Sequence, residues 1–412
     1  MARFELSEET RKRIEEIGSA ELVVGIAGAA PLDQLTEKIS GWLRRLPSAP
    51  ARTVVVFGGV QEIAFPPVEL EGVELLPFIP APHDPSLGPW AELTGAQITV
   101  MNIAALLQAR ACVVLHPDLA VLEDAGSTQF AAPILEGGCD LVMPGYPEGK
   151  YDGLLNKGLV VPLAGALCGR RAHTPLAYDF GVSTRLLARL AAAAQRPGSV
   201  PRLLWPSIFA GMDGGEMCEA SLHVRHSVQS EGLELSAVLG LLAGSLFQEA
   251  EINAAQWQRV RGSQIMRVLP PVGDAPPESS EAAAPDPQPL IDSFVLGFRN
   301  LEEVWRIALP PISLFELQRI SRLPAAEFHM PDELWARIVY DFAVAWHVRR
   351  IGRTHLLGAM TPLYLGWVAS YVRGAAQLST AEAQLRVEQL AQAFEASKPY
   401  FVSRWRWPDR VS

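Results

Sequence analysis

A chain of 412 residues with 35 Lys+Arg against 45 Asp+Glu, net charge −10, has surface enough to bury in two or three domains. Its 49% hydrophobic and 19% charged residues exclude a disordered chain. With no basic run, the acidic balance excludes nucleic acid and anionic membrane surfaces as partners, since both need a dense Lys/Arg face.

The opening stretch, FELSEETRKRIEE from Phe4, contains no apolar run, so no secretory signal is expected and a cytoplasmic address is. Next come short runs rich in Val, Ile and Leu: Leu22–Ile26, Thr53–Phe57, Val73–Ile79, Ala111–Leu115 and Asp140–Met143. They lack polar alternation, as strands covered on both faces do. Between the first two, Pro31 opens a helical pattern placing Leu32, Leu35, Ile39, Trp42 and Leu46 on one stripe, and a second helix is expected from about Trp90 to Arg110. Strands alternating with helices give right-handed βαβ units and a mostly parallel α/β sheet. In such sheets ligands sit at the carboxyl ends of strands, here the loops after Ile26, Phe57 and Leu115.

Those loops carry no GxGxxG, no GxxxxGK[ST] and no GxSxG, which removes the simplest dinucleotide, phosphate-loop and hydrolase readings. After the fourth strand comes His116-Pro117-Asp118. A carboxylate there suits a divalent cation bridging two phosphates; a turn-capping aspartate is the plain alternative. Cys112, Cys139, Cys168 and Cys218 lie far apart without a CxxC pair and read as small buried hydrophobes rather than as a disulfide framework.

From Pro270 to Pro289 there are seven prolines and four acids with no base, an extended solvated linker. The expected domains are therefore 1–269, a linker over 270–290, and 291–412. The last part is helical on periodicity, and Ala381–Ala396 is a strong helix former started by Ser379 or Thr380 with Glu382 just inside. Thr354–Val372 carries no formal charge but reads as a buried helix rather than a membrane span.

The order of motifs resembles bacterial family 2 glycosyltransferases akin to the mannosylglycerate and glucosyl-3-phosphoglycerate synthases. The resemblance rests on LSEETRKRIEEIGSAELVVGI from Leu6, ARACVVLHPDL from Ala109, ILEGGCDLVMP from Ile134, KYDG from Lys150, VPLAGALCGRR from Val161, DFGVS from Asp179, PDELWARIVYDFAVAWH from Pro331 and TPLYLGWVASYV from Thr361. It implies a GT-A-like fold, a mostly parallel sheet with helices on both faces plus a helical C-terminal extension. It further implies a nucleoside-diphosphate sugar donor, a divalent metal (Mg or Mn) and a small acceptor. Carried onto this chain, Asp118, His226 and His116 fall on the metal positions, Asp179 on the catalytic position, and Lys150, Tyr151, Asp152 and Gly181 on the donor and acceptor loops. The extension, through Leu378–Phe394, would support a homodimer, and the KYDG and DFG loops a complex with an intact relative.

The match departs from the family where the donor is gripped. The first carboxylate of the metal motif is His116. The polar loop after the first strand is Ala27-Gly28-Ala29-Ala30, and the one after the second is Phe57-Gly58-Gly59-Val60. A glycine-lysine segment has no counterpart near His83 to Trp90, and Leu203 stands two residues before Trp205 where relatives carry an aspartate. Each lost hydrogen bond to a charged group weakens binding by about 1.5 to 3 kcal/mol. Two functions are therefore expected: a glycosyltransferase with an altered donor and metal site, or a catalytically silent relative that binds a protein partner or a sugar-like ligand.

Overall fold

A computed structural model of the chain describes residues 6–29, 32–58, 72–79, 89–194, 203, 205–224, 234–273 and 283–408. The chain forms two compact units. One comprises residues 1–147, 172–226 and 265–276, the other residues 148–171, 227–264 and 277–412.

The first unit holds an eight-stranded sheet. Its strands are β1 (Leu22–Ala29), β2 (Thr53–Gly58), β3 (Val73–Phe78), β4 (Ala111–Leu115), β5 (Leu141–Gly145), β6 (Phe180–Ser183), β7 (Met217–Ser221) and β8 (Arg267–Val268), in spatial order β8-β7-β5-β6-β4-β1-β2-β3. Only β6 runs antiparallel to its neighbours. The register is in step from Leu22↔Ala111 to Ile26↔Leu115 and from Leu22↔Thr53 to Ile26↔Phe57, then shifts between Ile26 and Ala29.

Described helices of eight residues or more are α1 (Glu8–Ile17), α2 (Leu32–Arg44), α3 (Pro89–Leu106), α4 (Val161–Cys168), α5 (Thr184–Ala194), α6 (Leu235–Ile252), α7 (Pro287–Ala308), α8 (Pro311–Ile320), α9 (Asp332–Val348), α10 (Thr361–Ala375) and α11 (Thr380–Arg406). The predicted apolar runs are strands because both sheet faces are covered. On one face Leu35, Ile39 and Trp42 of α2 pack on Val24, Val55 and Val113. On the other, α3 lies so close that a Cβ at Gly25 would stand 2.0 Å from Val100 Cγ1. Every residue of β2 and β4 is buried, and each buried Val or Leu contributes about 1.5 to 3 kcal/mol.

Two expectations are corrected. Cys139 and Cys218 are not separate buried hydrophobes but a disulfide, 79 residues apart in sequence; spacing along the chain does not reveal that Cys139 enters β5 beside β7. Thr354–Val372 is not one helix. A short helix Arg353–Gly358 ends first, and α10 then starts with Pro362 in its first turn, where proline's missing N–H costs nothing.

The second unit is helical, and Trp335, Trp346 and Trp367 are buried in it at 2% exposure or less. Helix α11 opens on a capping box. Ser379 Oγ accepts from the Glu382 N–H, while the Glu382 carboxylate accepts from the Ser379 N–H. Among the described residues α6 is the one helix long and apolar enough to cross a membrane, and 61% of it is buried within the fold.

Candidate functional site

At the carboxyl end of β4 the sequence HPD forms a tight turn. The Asp118 Oδ1 accepts from the Ala120 N–H at 3.0 Å, so the carboxylate caps the turn. Its Oδ2 lies 3.1 Å from His116 Nδ1, which also stands 3.3 Å from the Asp118 N–H. Nδ1 accepts from that N–H when it is bare and donates to the carboxylate when it carries a proton, so one nitrogen serves either bond. The edge of His116 meets Tyr178, with ring centroids 5.1 Å apart.

Asp179 lies beneath this turn, at the entrance to β6, and is completely buried. Its Oδ1 accepts from the His116 N–H at 2.8 Å and its Oδ2 from the Tyr146 hydroxyl at 2.5 Å. Burial, together with the Asp179 charge, pushes the Tyr146 hydroxyl well above the usual phenol range, so it stays protonated and donating. Burial likewise raises Tyr178. Gly181, two residues on, has a packing reason: a Cβ there would stand 1.8 Å from the Phe130 carbonyl oxygen.

The end of β1 closes over the same turn. A Cβ on Gly28 would lie 2.7 Å from Pro117 Cγ, and one on Gly58 would lie 2.9 Å from the Gly28 carbonyl group. The register shift at this point of β1 lets the backbone approach the proline ring. Phe57, Leu203 and Trp205 are buried at 3% exposure or less.

Among the described residues no three His, Cys, Asp or Glu side chains come together as a metal-binding set. Of the three expected ligands, His116 and Asp118 are adjacent and bonded to one another, while His226 lies outside the described residues. So do Ala30, Gly59, Val60 and the segment 83–88. The described donors at this turn therefore do not make up a site for the expected divalent ion.

Lys150, Tyr151 and Asp152 belong to the second unit. There the KYDG loop is a self-contained turn. Asp152 Oδ2 accepts from the Gly149 N–H at 2.8 Å, and Gly153 takes φ +61. The buried Lys157 ammonium donates to the Gly149 and Asp152 carbonyls at 2.7 and 2.6 Å and pairs with Glu148 at 3.3 Å. Lys150 Nζ donates to the Leu378 carbonyl at 3.0 Å and lies over the Tyr151 ring, while the Tyr371 hydroxyl donates to the Lys150 carbonyl.

The π-turn Asn156–Val160 that carries Lys157 has a sequence cause. Pro162 cannot give the Gly158 carbonyl its helical N–H, and Trp335 Nε1 supplies the bond instead, at 2.7 Å. Trp367 fills the space a Gly158 Cβ would take, 2.2 Å away. Sequence reasoning passed over Lys157, Tyr146 and Tyr178. A lone lysine in the apolar run LLNKGLVVP was the available signal for the first.

No protein-family model and no curated protein matches the chain. Among solved structures it is similar to glucosyl-3-phosphoglycerate synthase of M. tuberculosis, with 13% identity over 58% of this chain and 85% of that one, at a TM-score of 0.33. The same enzyme in complex with Mn2+, UDP-glucose and glycerol 3-phosphate gives 13% identity, 58% and 84% coverage and a TM-score of 0.34. A mycobacterial protein gives 10% identity, 59% and 78% coverage and a TM-score of 0.33.

Proposed function

We propose that the chain is a glycosyltransferase-type scaffold that is catalytically silent toward nucleoside-diphosphate sugars and is retained for binding. One observation carries this reading. Pro117 lies against Gly28, so the ends of β1 and β4, where the resemblance implies the donor's base and diphosphate, meet in van der Waals contact. The Asp179 carboxylate supports it: both oxygens accept bonds from within the fold and the group is wholly buried. Swinging that carboxylate out to a substrate would leave the Tyr146 hydroxyl and the His116 N–H without their acceptor, at about 1 to 3 kcal/mol each.

The partly exposed His116 and Asp118 beside Tyr178 present an imidazole and a carboxylate together. That pairing both donates to and accepts from hydroxyls, so the ligand class proposed is a sugar or similar polyol. The transferase reading, with a divalent metal on Asp118, His116 and His226 and with Asp179 as the catalytic carboxylate, is the competing outcome.

Thermal unfolding with UDP- and GDP-sugars, with and without manganese, separates the two. The silent scaffold gives no donor-dependent rise in Tm and releases no nucleoside diphosphate, whereas a monosaccharide panel gives a saturable rise lost in Asp118→Ala. Turnover of any donor, or a manganese-dependent donor shift abolished by Asp118→Ala, overturns it.

A further inference from the structure

At the opposite end of the strands, the amino ends of β4, β5 and β7 surround an open cavity of about 290 Å³. Arg110, Arg185, Asp140 and Glu216 supply its ionisable walls, and Cys139 lines it. Asp140 is already committed, accepting from Ser183 Oγ at 2.9 Å, Arg185 at 2.6 Å and the Glu216 N–H at 2.9 Å. Cys139 is bonded to Cys218, which is 1% exposed, and from β8 the Arg267 guanidinium reaches both sulfurs, Cys218 Sγ at 3.3 Å and Cys139 Sγ at 3.5 Å. A cation at that distance stabilises a thiolate over a thiol.

We propose that Cys139–Cys218 is a thiol–disulfide exchange site, reached through this cavity, whose co-reactant is a dithiol. The thiolate of the dithiol attacks Cys139 Sγ, the sulfur on the cavity side. A mixed disulfide forms, the Cys139–Cys218 bond breaks, and its electron pair goes to Cys218 Sγ, where Arg267 stabilises the leaving thiolate. The second thiol of the reagent, as its thiolate, then attacks its own mixed-disulfide sulfur and releases Cys139 as thiolate. The bridge has gained two electrons and, once both thiolates take protons from water, two protons; the dithiol has lost the same and closed to its own disulfide. Arg267 acts through the sulfurs it reaches, nearer to the leaving Cys218 Sγ, and is a positioning residue.

The other two cysteines are free thiols. Burial pushes the Cys112 thiol far up and the Cys168 thiol to about 11, so neither offers a thiolate.

The test uses the full chain purified without reductant. Thiol titration in denaturant gives two thiols before and four after native treatment with dithiothreitol. Glutathione, a monothiol, traps its mixed disulfide on Cys139 rather than Cys218, located by peptide mass spectrometry. In the reduced protein the ultraviolet thiolate absorbance that Cys218→Ser removes titrates with a pH profile centred below the ordinary thiol value of about 8.5. Arg267→Met moves that profile upward and slows reduction by about threefold or more, and Arg267→Lys restores both. A purely packing role for Arg267 would change stability without moving the pH profile. Four free thiols in the untreated protein, trapping on Cys218, or a profile unmoved by Arg267→Met overturns the proposal.

Discussion

The two ends of the strands invert the rule by which ligand sites in α/β folds are found. At the carboxyl ends of β1 and β4, where that rule directs attention, Pro117 lies on Gly28 and Asp179 is sealed between Tyr146 and the His116 backbone. At the amino ends of β4, β5 and β7 there is an open cavity beside a disulfide with a guanidinium on its sulfurs. Strand polarity assigns an address, but the side chains that fill it decide whether anything is received there.

A second contrast sharpens the first. Asp341, in the helical unit, is also wholly buried and accepts from a tyrosine hydroxyl, Tyr400 at 2.7 Å, and from Arg404 at 3.1 Å. A buried aspartate held by a tyrosine thus appears in both units, and nothing in the helical example involves a strand-end crevice. Asp179 shares that arrangement, a buried carboxylate accepting from a tyrosine hydroxyl, and the proposed reading treats it as an anchor.

The comparison breaks most severely at the bridge. Replacing Cys139 and Cys218 together by serine frees a loop of 79 residues and is expected to lower stability in urea by about 4 kcal/mol; a loss below about 1 kcal/mol would show that the amino end is not tied by it.

Next is the buried aspartate of the helical unit. Burial pushes the Asp341 carboxyl up to about 6, with Tyr400 and Arg404 pulling it back down. The folded state then holds its proton more tightly than the unfolded state. The contribution of this group to stability is fully present below the unfolded value of 3.8 and is lost, on the order of 3 kcal/mol, as pH rises through about 6. Asp341→Asn should flatten that slope in urea titrations between pH 4 and pH 7, and an unchanged slope would place it on other groups.

Asp179→Ala comes third. It strands the Tyr146 hydroxyl and the His116 N–H and is expected to destabilise by about 2 to 3 kcal/mol. If Asp179 is an anchor, this loss appears in unfolding curves whether or not a nucleotide sugar is present.

The smallest effect is expected at the closed crevice. Gly28→Ala puts a side chain on a backbone at φ +152 and pushes its methyl group into Pro117, and should cost about 1 to 2 kcal/mol or more. Adding Pro117→Gly should recover part of that loss, and a double-mutant cycle with no coupling would show that the two residues do not meet.

Much of the scaffold was legible in the chain. LVVGI, TVVVF and ACVVL became strands because a run without polar alternation has to be covered on both faces, and the stripe Leu35, Ile39, Trp42 is what covers one of them. Ser379 with Glu382 marked the start of α11 because a capping box is a local bond between residues three apart. Asp152-Gly153, a dipeptide that favours turns, forms one. The end of the predicted linker was not legible: α7 starts inside it, at Pro287 with Asp286 as its cap.

What the chain alone determined, then, were the features whose causes lie within one turn or one strand: periodicity, caps and turns. Tertiary structure decided the rest. The bond from Tyr146 to Asp179 spans 33 residues, the guanidinium of Arg267 sits 49 residues from Cys218, and Trp335 supplies a carbonyl 177 residues away. Hydrogen bonds, sulfur contacts and empty volume depend on distances that strand order imposes, and linear spacing carries no record of them.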